Sequence, residues 1–423
     1  MAEEQTDIII VGAGAAGLMT AVCAGRELQG SDARITLVDG SPKVGVKILV
    51  AGGGRCNVTH HEIDERQYAG GSRNTIRKVL RQFGVSDTVA FFGRLGVELK
   101  REATGKLFPT TDDAHTVLDA LLGEIERLGV DLRHPWRIGS AIRDDRGNFV
   151  VRRAKSEDVL VAPRLVLATG GKALPRSGSD GAGYRFAEHL GHSITDHVFP
   201  SLVPLVSGER SEWVRALSGV SARARVEVRA GSGKRLADFE NDLLCTHFGL
   251  SGPAVMDASR WLTDARHSDP AASLAIAWLP GETFESVEQT LLRLGNQSVL
   301  AWLKGHLPER LAREICAESG VDPATPGTQL PKAPRRTLAH ALVGMPIDIE
   351  RDRGYTHAEV TAGGVPLNEI DPKTMQSRVC DGLWLVGEIL DVDGRIGGFN
   401  FQWAWATGSI AGASVGGSVS SEA

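Results

Sequence analysis

The chain has 423 residues, too many for one ordinary core, so two or three domains are expected. Hydrophobic residues make up 42% and charged residues 23%, the balance of an ordinary soluble globular protein. A formal net charge of −5 excludes any global electrostatic pull toward nucleic acid or an anionic membrane.

The acidic leader MAEEQTD and the glycines that follow it argue against a signal peptide. Residues 7–12 (DIIIVG) form an apolar run of buried-strand length. It leads into GAGAAG, with Gly12, Gly14 and Gly17 at GxGxxG spacing, and then into a helical stretch from Ala15 and Ala16 onward. Gly12 permits a tight turn, Gly14 lets backbone approach a pyrophosphate, and Gly17 permits close helix–strand packing. The helix start offers free N–H groups and a positive dipole end to phosphates. ARITLVD then reads as a second strand ending at Asp39, about 20 residues after the last glycine, where a carboxylate can accept bonds from a ribose. Strand, turn, helix and acid together predict a dinucleotide site, and Asp39 disfavours a 2′-phosphate.

AGGGRCNVTH, residues 51–60, raises two readings: a loop whose backbone touches a ligand, or a flexible frame for a reactive Cys56. A helical region is predicted from about Arg73 to Leu95. Arg73, Arg77 and Arg81 share a face there, as a weak basic patch or a solvated helix surface. Val117 to Leu128 carry helical spacing, VDLRHPWRI, FVVRR and VLVA read as strands, and RLVLATGG ends a buried strand in a second glycine turn at Thr169 and Gly170. From about His192 to Pro280 the pattern is β-rich. Residues 281–334 are helical and end in the proline-rich exit loop PATPGTQLPKAPRR. The C-terminal part returns to nucleotide-site patterns in LWLVGE and GGFN.

The predicted organisation is α/β. A dinucleotide-binding domain comprises 1–192 and 356–423, a β-rich substrate domain 193–280 and 335–355, and a helical insert 281–334. Five cysteines without CxxC or metal-site spacing imply a reducing compartment and no metal, so a cytoplasmic location is expected. No uninterrupted apolar stretch reaches membrane-spanning length. LATGG, LWLVGE and GGFN point to FAD. Gly387 and Glu388 would be a strand-end pair near the ribityl and pyrophosphate. Gly397, Gly398 and Asn400 would open a helix whose N–H groups stabilise negative charge on the reduced ring.

GAGAAGL, KILVAGGGRCNVT, GKLFP, LATGG, THFGLSGP, AEVTAGGV and GEILDVDGRIGGFNFQWAWATG resemble the HI0933-like family of bacterial flavoproteins over almost the whole chain. The resemblance implies a glutathione-reductase-like FAD-binding Rossmann domain, a barrel-like β domain and a helical subdomain. It places AGGGRCNVTH along the FAD, with Gly52, Gly53 and Gly54 giving close backbone approach, Arg55 and Asn57 as donors, and Lys47 near the ribose or flavin. Cys56 then becomes a packing residue, since no resolving CxxC partner exists. Relatives often carry Glu where this chain has Asp39.

Only one full GxGxxG is present, so NAD(P)H would dock transiently at the flavin face. Three reactions follow: NAD(P)H-fed reduction of an electron-poor C=C bond, O₂-linked oxidation of a small amine, and the reduction of uridine in ribosomal RNA that the resemblance admits. The acidic balance weighs against RNA as a partner, while Arg73, Arg77, Lys78 and Arg81 keep it open. His247 and His357 are the acid/base candidates.

Overall fold

A computed structural model describes residues 3–420. Two compact units are present, one built from residues 1–199 with 360–423 and one from 200–359.

The first unit is organised around a five-stranded parallel sheet. Its order is Leu383–Leu385, Arg164–Leu167, Ile8–Val11, Ile35–Val38 and Asp131–Arg133. The inner strands are apolar because both sheet faces are covered; Ile8, Ile9, Ile10, Leu37 and Leu165 are fully buried, while the edge strand Asp131–Arg133 is partly exposed. A four-stranded sheet is formed by Glu3–Gln5, Val159–Ala162, Phe149–Arg153 and Ile138–Arg143.

Helix Phe399–Ser420 packs along helix Ala15–Glu27, and its sequence explains how. Gly408, Gly412 and Gly416 recur at helical spacing. A Cβ on each would press into the first helix, at Ala16 O, Cys23 Cβ and Glu27 Cβ respectively. The helix is apolar nearly all round, which fits its burial. Among the described residues no helix is long and apolar enough to cross a membrane.

The second unit is a seven-stranded antiparallel sheet. Its order is Met345–Ile347, Ser273–Ala277, Ser221–Arg229, Arg235–Thr246, Gly249–Ser251, Leu205–Ser207 and Ile349–Asp352. Helices Phe284–Arg293, Val299–Leu303, Glu309–Glu318 and Lys332–Gly344 share one buried cluster with it: Val226 and Ile276 of the sheet lie with Leu291, Leu311 and Leu338 of the helices.

Two local expectations change. Lys332–Gly344 is a helix that begins inside the proline-rich stretch read as an exit loop. Pro334 falls in its first turn, where the missing N–H has no intrahelical partner, so proline starts the helix without breaking it. The helical region from Arg73 to Leu95 is two helices, Arg73–Gln82 and Val85–Arg94. Gly84 separates them, its N–H held by Asp87 Oδ2 at 2.8 Å.

Candidate dinucleotide site

The first glycine turn joins Ile8–Val11 to Ala15–Glu27. Gly12 has φ +100°, and a Cβ there would strike the Ala168 carbonyl at the end of the neighbouring strand. A Cβ at Gly17 would overlap the Gly12 carbonyl oxygen, so helix and turn meet backbone to backbone. Gly14, the N-cap, is different: a Cβ there meets nothing within 4 Å. The turn is closed toward the protein and open at its N-cap, as a phosphate cradle requires.

Asp39 anchors that turn. Its Oδ2 accepts the Ala13 N–H at 2.7 Å and its Oδ1 the Ser41 N–H at 2.7 Å. Burial pushes the carboxyl above its usual range, and the two N–H groups oppose that shift. A carboxylate offers about four lone-pair sites, so two bonds leave acceptor capacity for a hydroxyl.

The second glycine turn follows Arg164–Leu167. Thr169 Oγ1 and Ser179 Oγ are buried here without a hydrogen-bond partner in the protein. Ser179 Oγ lies against Gly170, 2.7 Å from where a Cβ would stand. Asn57 Oδ1 is a third buried atom of this kind. Each such group costs about 1–3 kcal/mol if its bond is left unmade. All three occur in or beside the segments whose glycines foretell a cofactor, and this fits a polar ligand bonding there. Ser179 escaped the sequence reading; its only signal is the small polar loop SGSDG after the second turn.

Lys47 and Glu388 meet. Lys47 Nζ donates to Glu388 Oε2 at 2.7 Å, and Glu388 Oε1 accepts the Thr361 N–H at 3.0 Å. Thr361 Oγ1 accepts from the backbone N–H groups of Lys172 and Ala173 at 2.7 and 3.0 Å. One network thus ties the second glycine turn, strand Val360–Ala362, the turn at Glu388 and helix Val46–Gly54 together. Gly387 is buried beside it at φ +75°, with its N–H on Thr407 Oγ1 at 3.0 Å and its carbonyl accepting from Trp403 Nε1 at 3.2 Å.

AGGGRCN is a knot of left-handed backbone. The helix leaves helical geometry at Ala51, and Gly52, Gly53, Gly54 and Cys56 have φ of +59°, +71°, +88° and +59°. A Cβ at Gly53 meets nothing within 4 Å, so this glycine faces open space. Cys56 is fully buried, its N–H bonds Ala51 O at 3.0 Å, and burial pushes its thiol up to about 12. Arg55 turns to the protein instead: Nη1 reaches Glu102 at 2.6 Å and the guanidinium lies 4.0 Å from the Phe108 ring centroid.

Gly397 and Gly398 precede the last helix at φ +122° and +96°. The Asn400 amide bonds both backbone groups of Gly394, at 2.8 and 2.9 Å, pinning the loop before the helix. Tyr68 donates to Phe399 O at 2.8 Å, and the His60 ring stacks on Phe399 at 5.1 Å. His247 and His357 belong to the second unit, and both are exposed. Among the described residues no group of three or more histidine, cysteine or acidic side chains is disposed to hold a metal ion.

The fold and this turn–acid–turn arrangement define a Rossmann-type dinucleotide-binding domain. The chain belongs to the HI0933-like family: residues 6–414 match the family described as "HI0933-like protein Rossmann domain". Its class is that of an FAD-dependent oxidoreductase. It is 34% identical over 407 residues to the 3-dehydro-bile acid delta(4,6)-reductase of Clostridium scindens, covering 95% of this chain and 97% of that one. It is 32% identical over 408 residues to the ribosomal RNA dihydrouridine synthase of Escherichia coli, covering 96% of each. Among solved structures, 3-ketosteroid delta1-dehydrogenase from Sterolibacterium denitrificans shares the fold, with a TM-score of 0.53 and 13% identity over 98% of this chain and 100% of that chain.

Proposed function

We propose that the chain is an NAD(P)H-fed reductase of a C=C bond conjugated to a carbonyl. The observation that carries this is the chemistry common to its two kinds of named relative. A 3-dehydro bile acid with delta(4,6) unsaturation is a conjugated ketone, and uridine is reduced across a C=C bond conjugated to its carbonyl. In both, the net change adds a hydride and a proton across that bond; in the proposed reaction NAD(P)H gives the hydride and leaves as NAD(P)⁺, and the proton comes from solvent.

FAD bound to the first unit supplies the hydride relay. The residues that hold it are, in this reading, the backbone at Gly12, Gly14, Ala15, Ala16 and Gly17, the Asp39 carboxylate, and Asn57, Gly53 and Gly54. Thr169, Gly170 and Ser179 line the second turn. The N–H groups at Gly397 and Gly398, at the start of the last helix, would stabilise negative charge developing on the bound cofactor. Lys47, Glu388, Gly387, Asn400 and Arg55 position these segments through the protein contacts described above. Cys56 stays protonated at neutral pH and takes no proton or electron pair.

A small unsaturated ketone is the preferred acceptor. Net charge of −5 disfavours a polyanion, and Arg77 of the basic helix already lies 3.6 Å from Glu65. Reduction of uridine in ribosomal RNA is the second reading, favoured by the relatives in Escherichia coli and Haemophilus influenzae, at 32% and 30% identity. An anaerobic titration tests both. NADH or NADPH should bleach the flavin, and a conjugated steroid enone should restore its colour stoichiometrically. Restoration by a ribosomal RNA transcript alone supports the second reading. Bleaching by a small amine, with none by either nicotinamide, overturns both.

A further inference from the structure

The second unit brings together side chains from two distant loops. The Thr246–Gly249 turn and the Arg353–His357 loop both hang from strand Leu205–Ser207 and its start: Ser207 N–H bonds Phe248 O at 3.1 Å, and Arg353 N–H bonds Pro204 O at 3.1 Å. Thr246 Oγ1 closes the turn on Gly249 O at 2.9 Å. The result is a stack of His247, Phe248 and Arg353, with His357 beside the Arg353 carbonyl. The His247 ring stands edge-to-face on Phe248 at 5.1 Å and 83°. The Arg353 guanidinium lies 4.0 Å from the Phe248 centroid. His357 Nδ1 sits 3.2 Å from Arg353 O and 2.9 Å from Thr356 Oγ1.

The charges in this stack are unbalanced. Asp352 Oδ1 accepts the Gly354 N–H at 2.7 Å, and Glu350 lies 3.5 Å from Arg351. Among the described residues Arg353 forms no ion pair, and the His247 ring nitrogens and His357 Nε2 have no hydrogen-bond partner. Arg353 therefore holds a planar set of donors over an aromatic ring, with no anion among the described residues to receive them. A guanidinium fixed this way matches a carboxylate bidentately. Phe248 is half-buried, so its remaining face and the imidazole beside it favour apolar matter next to the anion. Glu350, Asp352 and Glu359 on the same segment would repel a polyanion more than a single carboxylate.

We infer that His247, Phe248, Arg353 and His357 form a binding site for the carboxylate of an amphipathic small molecule. The site lies within the second unit and does not depend on the flavin reading. Calorimetric titration of the full-length protein with biphenyl-4-carboxylate and with its uncharged amide tests it. The carboxylate should bind about tenfold more tightly than the amide, a difference of one charge-assisted bidentate contact. Arg353→Gln should erase that difference, Arg353→Lys should keep part of it, and Phe248→Leu should weaken both ligands. Each variant is first matched to the parent by thermal midpoint; if Arg353→Gln unfolds, His247→Gln and Arg353→Lys carry the comparison. Equal binding of acid and amide, or full discrimination by Arg353→Gln, overturns the proposal. So does salt-sensitive binding of an RNA oligonucleotide that abolishes carboxylate binding. Flavin absorbance is read separately: a colourless protein that still discriminates acid from amide sinks the flavin reading and leaves this one standing.

Discussion

Lys47 Nζ and Glu388 Oε2 are 2.7 Å apart although 341 residues separate them in the chain. Both are largely screened from solvent, with side-chain exposures of 25% and 18%. The pair fastens the helix before AGGGRCN to the turn before the last helix.

Glu388→Gln should therefore loosen the site. An amide can still accept the Thr361 N–H, but Lys47 loses its charge partner, at a cost of about 1–3 kcal/mol. The expected result is a lower thermal midpoint and FAD affinity reduced by about tenfold, measured by titrating apoprotein and following flavin fluorescence. Unchanged affinity and midpoint would show the pair to be incidental.

Cys56 should be inert. With its thiol pushed up to about 12, almost no thiolate exists at pH 8. Iodoacetamide should leave it unlabelled in the native protein, and Cys56→Ala should keep its bound flavin and most turnover. Rapid labelling at this position, or lost turnover with flavin still bound, would give the thiol a chemical role.

Gly17 and Gly53 should fail in different ways when changed to alanine. The methyl at 17 overlaps the Gly12 carbonyl, so the first helix must move away from its turn and the protein should be markedly destabilised. The methyl at 53 meets no protein atom, and the left-handed backbone costs only about 1–2 kcal/mol. Gly53→Ala should thus fold and lose FAD affinity. A folded Gly53→Ala protein with parental affinity would remove this backbone from the cofactor's path.

Glu124 links Arg127 and Arg26, and these bonds, Arg127's first, hold its carboxyl below the usual carboxylate range despite burial. Its folded value is depressed, so the stabilisation is present above the unfolded value near 4.5 and lost as pH falls below it. Glu124→Gln should lower the urea midpoint at pH 7, by about 1–3 kcal/mol of stability, and much less at pH 3. An equal loss at both pH values would mean packing, not charge, is responsible.

The parallel sheet and the glycine turns were legible because each is announced locally. Apolar runs of strand length stand directly before glycine spacing. What local pattern left open was where long side chains end. Lys47, Glu388 and Arg55 were read as lying near a ligand; in the structure each also bonds a protein group from a distant segment, a pairing that only the folded topology sets. Ser179 hid because serine beside glycine is what any surface loop contains. The proline-rich stretch hid a helix because proline both ends loops and begins helices, and position within the first turn decides between them. His247 and His357 were two unrelated residues in the chain; the bonds of their loops to Leu205–Ser207 and Pro204 bring them to one region, His247 against Phe248 and His357 beside the Arg353 carbonyl.

The glycine-notched seam between Phe399–Ser420 and Ala15–Glu27 has a consequence for biosynthesis. The turn proposed to receive the phosphates, at residues 12–17, is synthesised long before the helix that backs it, Phe399–Ser420. A nascent chain lacking residues 383–420 has neither the sheet's outer strand nor that buttress. On the proposed site, cofactor capture is thereby deferred until that helix is made, and a chain stalled short of it should emerge colourless and prone to degradation.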